Sequence, residues 1–315
     1  MRALYIEKGK ICLKNLPAPK PKSNELKIRI RKAGICNTDL ELLEGYMDFQ
    51  GIPGHEFVGE VTDGPAGWKG RRVVGEINIS CGRCEYCRRG VPTHCPNRTV
   101  LGIQKKDGVF AEYVTLPARN CLAVPESVTD RQAVFVEPLA AALEMFEQIP
   151  VSHSDRVVVL GDGKLGQLIA RVMRLRTPHV LCIGSYERKL EILGKAGIET
   201  CLYGEPSERI FDIVVEATGS RRGVADALNL VRPRGVIVCK STFRGNISLD
   251  ISRIVVNEIR FIGSRCGPFS KALDLLVTGA LDVEPLIDAE FSLDEGIRAF
   301  EAARRPGALK ILLNP

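Results

Sequence analysis

The stretch Arg156-Val157-Val158-Val159-Leu160-Gly161-Asp162-Gly163-Lys164-Leu165-Gly166 decides the fold. Its first half is a continuous run of mostly β-branched apolar residues, as expected for a strand buried on both faces of a parallel sheet. Its second half is G-x-G-x-x-G, and an amphipathic helical pattern runs from 164 to 174. Gly161 allows the tight turn, Gly163 lets the backbone approach a pyrophosphate, and Gly166 lets helix and strand pack closely. The N-terminus of the helix, opening at Lys164 and Leu165, then faces the phosphates with its positive dipole end. Glycines of an ordinary βα turn are the bland alternative, and the strand-before, helix-after context favours the dinucleotide.

Downstream, apolar runs at 180–183, 200–203, 212–216, 235–239 and 260–263 read as further strands, with helices at 188–195 and 222–230. Six strands with crossovers predict a doubly wound, Rossmann-type α/β domain whose ligand lies at the strand C-terminal ends. Those ends carry Gly184 and Ser185, then Thr218, then Lys240, then Arg265. An acidic residue normally closes the second strand and binds the ribose 2′-hydroxyl. Here Gly184 and Ser185 stand in its place, and Arg188 and Lys189 follow, which favours NADP over NAD. Glu187 in a shifted loop is the feature that favours NAD.

Upstream, residues 1–135 read as β-rich, with short apolar runs at 26–30, 57–61 and 113–116 between Gly/Pro turns. Helical pieces over 130–149, broken near Pro138, link this region to the next. From Cys266 the pattern gives helices at 271–277 and 293–303 and a last strand at 309–313, which returns to the first domain. The expected division is 1–137 with 266–315, and 138–265.

Cys81, Cys84, Cys87 and Cys95 carry the most specific local signal. Four thiolates on one short segment suit a tetrahedral zinc ion, and four protein ligands leave no open position, so that ion is structural. Two rivals stand beside it: unpaired buried cysteines, and an iron–sulfur cluster, since Pro96 follows Cys95 as in the bacterial ferredoxin run. That run has three residues before its last cysteine; this chain has seven.

Composition narrows the class. Of 315 residues, 44 are basic and 38 acidic, giving a net charge of +6. The basic residues are scattered, which argues against a nucleic-acid partner. No apolar run is long enough to span a bilayer, and Met1-Arg2-Ala3-Leu4-Tyr5 lacks the apolar region of an export signal. Eleven unevenly clustered cysteines then point to metal binding in a reducing cytoplasm.

Three more segments carry a family resemblance: Gly34-Ile35-Cys36-Asn37-Thr38-Asp39, Gly54-His55-Glu56 and Val136-Glu137-Pro138-Leu139. Over essentially its full length the chain resembles the zinc-containing medium-chain dehydrogenase/reductase superfamily of alcohol and polyol dehydrogenases. The resemblance implies a GroES-like catalytic domain beside the Rossmann-type domain. It implies a catalytic zinc at Cys36, His55 and Glu137, with Glu56 a direct ligand, an exchangeable one or an outer group. Taken singly, Cys36 reads as a buried hydrophobe, His55 as a turn histidine and Glu137 as a helix cap. With the four-cysteine ion, two Zn2+ per chain are expected. Thr38 would take the proton of an alcohol while hydride passes to the nicotinamide. Glu41 stands where many relatives place the histidine that ends the relay. Ile77, Asn78, Tyr46 and Phe49 would line or cover the pocket of a small alcohol or carbonyl. The family implies a homodimer or homotetramer. Two further functions compete: a non-catalytic NADP-binding redox sensor and an iron–sulfur electron carrier.

Overall fold

Val157–Leu160 is buried along its whole length and occupies the middle of a six-stranded sheet. The strand order is Glu199–Leu202, Val180–Gly184, Val157–Leu160, Phe211–Glu216, Val231–Cys239 and Arg260–Gly263, and every pairing is parallel. This is the order of two mononucleotide-binding halves wound outward from the first strand. The helices Lys164–Arg174, Glu187–Lys195 and Arg221–Leu230 make the crossovers. Val158, Leu160, Val214, Ile237 and Leu228 lie in one buried apolar cluster.

The computed structural model describes residues 1–204, 210–242 and 246–315. They form two compact units, Met1–Glu137 with Phe269–Pro315, and Pro138–Pro268. The return thus falls at Phe269 and not at 266. Residues up to Pro268 belong to the nucleotide unit because Gly267 packs directly against the Ala140 carbonyl. The helix Val136–Leu143 also runs through Pro138, where the sequence reading placed a break. Pro138 sits in the first helical turn, where its missing N–H has no intrahelical partner to lose.

The other unit is built on one long strand, Glu25–Ile35. Its sheet runs Ile287–Ser292, Lys310–Asn314, Glu25–Ile35, Glu56–Asp63, Arg72–Gly75, Cys121–Ala123, and Tyr113–Pro117 also pairs with the long strand. Gly34 lies opposite Glu56 on one side and Leu312 on the other. The end of the long strand therefore meets the start of Glu56–Asp63 and of the last strand at one place, and Cys36 is the next residue. Phe110 and Phe300 anchor the core edge to face, with centroids 5.8 Å apart.

A Cβ on Gly166 would collide with the Gly161 carbonyl oxygen. Gly166→Ala should therefore force the glycine loop off its strand. We expect a stability loss of about 1–3 kcal/mol, read by denaturant unfolding.

Candidate active site

Cys36 precedes the helix Asn37–Leu43, and His55 stands in the turn before the strand Glu56–Asp63. One ligand atom each from Cys36, His55 and Glu56 lie within 4.8 Å of one another. Asp39 holds the two segments together. It is wholly buried. Its Oδ2 accepts the Cys36 N–H at 2.8 Å, its Oδ1 accepts the Gly54 N–H at 3.1 Å, and Oδ1 lies 3.4 Å from His55 Nδ1. The Thr38 hydroxyl oxygen is 3.8 Å from Cys36 Sγ. Glu41 lies one turn further along the same helix, half-buried.

The charge balance of this pocket is unusual. Glu56 is 1% exposed, and its Oε2 is paired with the ammonium of Lys310, itself 2% exposed. Burial alone would lower the Lys310 pKa, but Glu56, Cys36 and Glu137 carry it above its ordinary value. Burial likewise works against protonation of His55, and Asp39 and Cys36 overcome it, holding the imidazole well above its usual range. Glu137 is pushed up to about 7 by burial and by Glu56, against the pull of His55 and Lys310. Glu56 Oε1 is buried without a hydrogen-bond partner. A thiol, an imidazole and an orphaned carboxylate oxygen in an anion-rich pocket form a donor set that a divalent cation fits.

Of the two expected carboxylates, Glu56 belongs to this group, and Glu137 is outside the 4.8 Å set although the same charges act on it. Glu56 is drawn in by Lys310, whereas Glu137 sits on the first turn of Val136–Leu143.

Cys81, Cys84, Cys87 and Cys95 converge on a second point, again with all sulfurs within 4.8 Å of one another. Cys84 Sγ lies 3.5 Å from Cys87 Sγ and 3.6 Å from Cys95 Sγ. A tetrahedron with Zn–S bonds of about 2.3 Å has sulfur–sulfur edges of about 3.8 Å. The spacing thus fits one ion, not a cluster whose thiolates are carried by separate irons. Backbone hydrogen bonds at Arg83 and Cys84 hold the Cys81 thiol down to about 6, while at Cys84 a backbone hydrogen bond at Cys87 is outweighed by desolvation and the neighbouring thiols, which push it up to about 11.

In the nucleotide unit, Gly163 precedes the helix that begins at Lys164 and Leu165. Ser185 and Arg188 are exposed beyond Gly184, and Thr218 and Arg265 follow their strands as expected. Two expected contacts are turned elsewhere. Lys189 is buried, with its ammonium 2.8 Å from Asp162. Lys240 is buried and donates to the Ala141 carbonyl at 2.6 Å and to Ser264 Oγ at 3.0 Å. Both cations are consumed by internal acceptors.

Residues 22–126 match the model of the alcohol dehydrogenase GroES-like domain, and residues 163–278 match that of the zinc-binding dehydrogenase domain. The chain belongs to the zinc-containing medium-chain dehydrogenase superfamily. Its reaction is the zinc-dependent oxidoreduction of alcohols and polyols with a nicotinamide nucleotide. Sorbitol dehydrogenase of Halalkalibacterium halodurans is 29% identical over 98% of this chain and 96% of that protein. A protein of Sinorhizobium meliloti 1021 described as a zinc-binding dehydrogenase, solved with NADP, superposes with a TM-score of 0.93 at 28% identity, covering 100% and 99% of the two chains. An alcohol dehydrogenase of Escherichia coli CFT073 complexed with NADH gives 0.94 at 25% identity, again covering 100% and 99%.

Two residues of this medium-chain dehydrogenase escape the sequence reading. Asp39 hides in a motif as one more polar residue. Lys310 is the one charge in the apolar run Leu309-Lys310-Ile311-Leu312-Leu313, and a lone charge at a buried strand position is the signal that could have found it. Lys310→Met leaves Glu56 buried beside Cys36 and Glu137 without a counter-charge. We expect chelator-treated protein carrying this change to lose about 3–5 kcal/mol of stability in denaturant unfolding. A loss below 1 kcal/mol would show that the pair is not the electrostatic keystone.

Proposed function

We propose that the chain is a polyol or secondary-alcohol dehydrogenase holding two zinc ions, one structural at the four cysteines and one catalytic at Cys36, His55 and Glu56 with Glu137 nearby. The observation that carries this reading is the buried thiol–imidazole–carboxylate group with an orphaned carboxylate oxygen, Glu56 Oε1. When bound, zinc acidifies an alcohol and polarises a carbonyl, and the nicotinamide exchanges hydride. The protein's part is positional. Asp39 orients His55 and braces the Cys36 backbone. Lys310 neutralises Glu56, so the pocket carries less net negative charge. Thr38 Oγ1 holds the alcohol proton, and Glu41, on the same helix face, receives it on the way to solvent. Ile77 and Asn78, both buried, are proposed as pocket wall, and the Asn78 donation to Glu76 Oε1 at 2.7 Å holds its side chain in place.

NADP is the proposed nucleotide. Gly184 offers no carboxylate to the ribose, and exposed Ser185 and Arg188 stand beside the place a 2′-phosphate would occupy. Gly161, Gly163, Lys164, Leu165 and Gly166 cradle the pyrophosphate, and Thr218 and Arg265 flank the rest of the nucleotide. We assign the enzyme to the cytoplasm, where thiols are kept reduced and the clustered cysteines can serve as metal ligands. A homodimer is proposed through the outer strand Arg260–Gly263, where Phe261 and, on the helix Ile251–Val256, Ile251, Val255 and Val256 are exposed apolar side chains beside an unpaired strand edge.

Polyols and secondary alcohols should reduce NADP in a stopped assay followed by absorbance. Cys36→Ser should lower that rate at least a hundred-fold and reduce the zinc content from two ions per chain to one. Full turnover with one zinc fewer would remove the metal from the chemistry. Light scattering should give twice the chain mass, and Phe261→Asp should halve it.

A further inference from the structure

The second position of the glycine motif, Asp162, is engaged wholly within the protein. Its Oδ1 lies 2.8 Å from Lys189 Nζ, and the two side chains are 7% and 6% exposed. Its Oδ2 accepts the N–H of Ser185 at 2.9 Å and of Tyr186 at 2.8 Å. Gln167, also buried, donates to the Lys189 carbonyl at 2.8 Å and locks the two helices of this corner together. A Cβ placed on Gly184 would lie 2.5 Å from Asp162 Cβ and 2.6 Å from its Oδ2. The side chain of Asp162 thus fills the volume into which any side chain at position 184 would have to grow.

In this strand order the ribose is read at the C-terminal end of the second strand, the position of Gly184. A carboxylate exposed there accepts hydrogen bonds from ribose hydroxyls and repels a 2′-phosphate. A carboxylate buried against one ammonium and two N–H donors does neither: its charge is balanced and its lone pairs are used. We propose that Asp162 is a specificity-determining residue for the dinucleotide. It excludes an acidic side chain from position 184 and keeps its own charge neutralised by Lys189. The strand end therefore presents the Ser185 hydroxyl and admits a 2′-phosphorylated ribose. Positions 162 and 184 share a single carboxylate slot, filled from the glycine loop. This inference rests on the NADP reading above and explains how the fold achieves it.

The experiment moves the carboxylate from one position to the other and reads binding alone, by fluorescence titration of NADPH and NADH. Gly184→Asp by itself should lower the Tm and abolish nucleotide binding. Adding Asp162→Gly should restore the Tm and raise the ratio Kd(NADPH)/Kd(NADH) at least ten-fold over the unmodified enzyme, equivalent to about 1.4 kcal/mol. Asp162→Asn, which keeps the shape and uncovers the Lys189 charge, should move that ratio at least three-fold the other way. Glu187→Gln should leave it within three-fold. The proposal is overturned if Gly184→Asp alone behaves as the unmodified enzyme, if the relocated pair or Asp162→Asn leaves the ratio unchanged, or if Glu187→Gln shifts it as far as the relocation does. The preceding reading fails separately, by the unmodified enzyme preferring NADH, because the proposal concerns the change in ratio and not its starting value.

Discussion

A buried ammonium lets several acidic groups share one interior. Cys36, Glu56 and Glu137 all act on Lys310, and all four belong to one unit of the chain. Desolvating a carboxylate costs several kcal/mol unless an opposite charge and good hydrogen bonds accompany it. Lys310 supplies that partner to Glu56 on one oxygen and leaves the other oxygen unpaired. The same ion pair therefore stabilises the fold and keeps a donor atom available beside His55 and Cys36. Asp39 performs the complementary task, accepting from two backbone N–H groups and facing the imidazole. The electrostatics of the pocket are thus set as much by Lys310 and Asp39 as by Cys36, His55 and Glu56.

The nucleotide unit solves a related problem by a different route. Asp162 and Lys189 again bury opposite charges, but here the pair removes both groups from the surface. Arg188, one residue earlier, points outward. Adjacent basic residues at the head of a helix thereby take unrelated roles, decided by which helix face meets the glycine loop.

Sequence alone shows the nucleotide unit best. The helix 164–174 is found at the expected residues because an amphipathic crossover helix has a clear period, and the strand 260–263 is found likewise although it forms an exposed sheet edge. The metal pocket was legible as a set of motifs, Glu56 among them, but its counter-charge was not: Lys310 pairs with Glu56 from 254 residues away, and no spacing rule connects residues so far apart in the chain. Lys189 and Lys240 look like ligand contacts in sequence because cations at strand and helix ends usually face solvent; here Asp162 and the Ala141 carbonyl turn them inward. The strand Ile287–Ser292 was passed over although Ile287, Ala289 and Phe291 alternate with polar residues, since its parallel partner Lys310–Asn314 lies beyond an intervening helix.

The two clusters of candidate metal-binding side chains also differ in how far apart along the chain their partners lie. Cys81 to Cys95 lie on one short segment, so that loop can capture an ion with little loop-closure entropy and no help from distant chain. Lys310 and Glu56 are 254 residues apart. Cys36, His55 and Glu56 also come early in the chain, but the counter-charge of Glu56 arrives only with the last strand, so that buried pair can close only once nearly the whole chain is present.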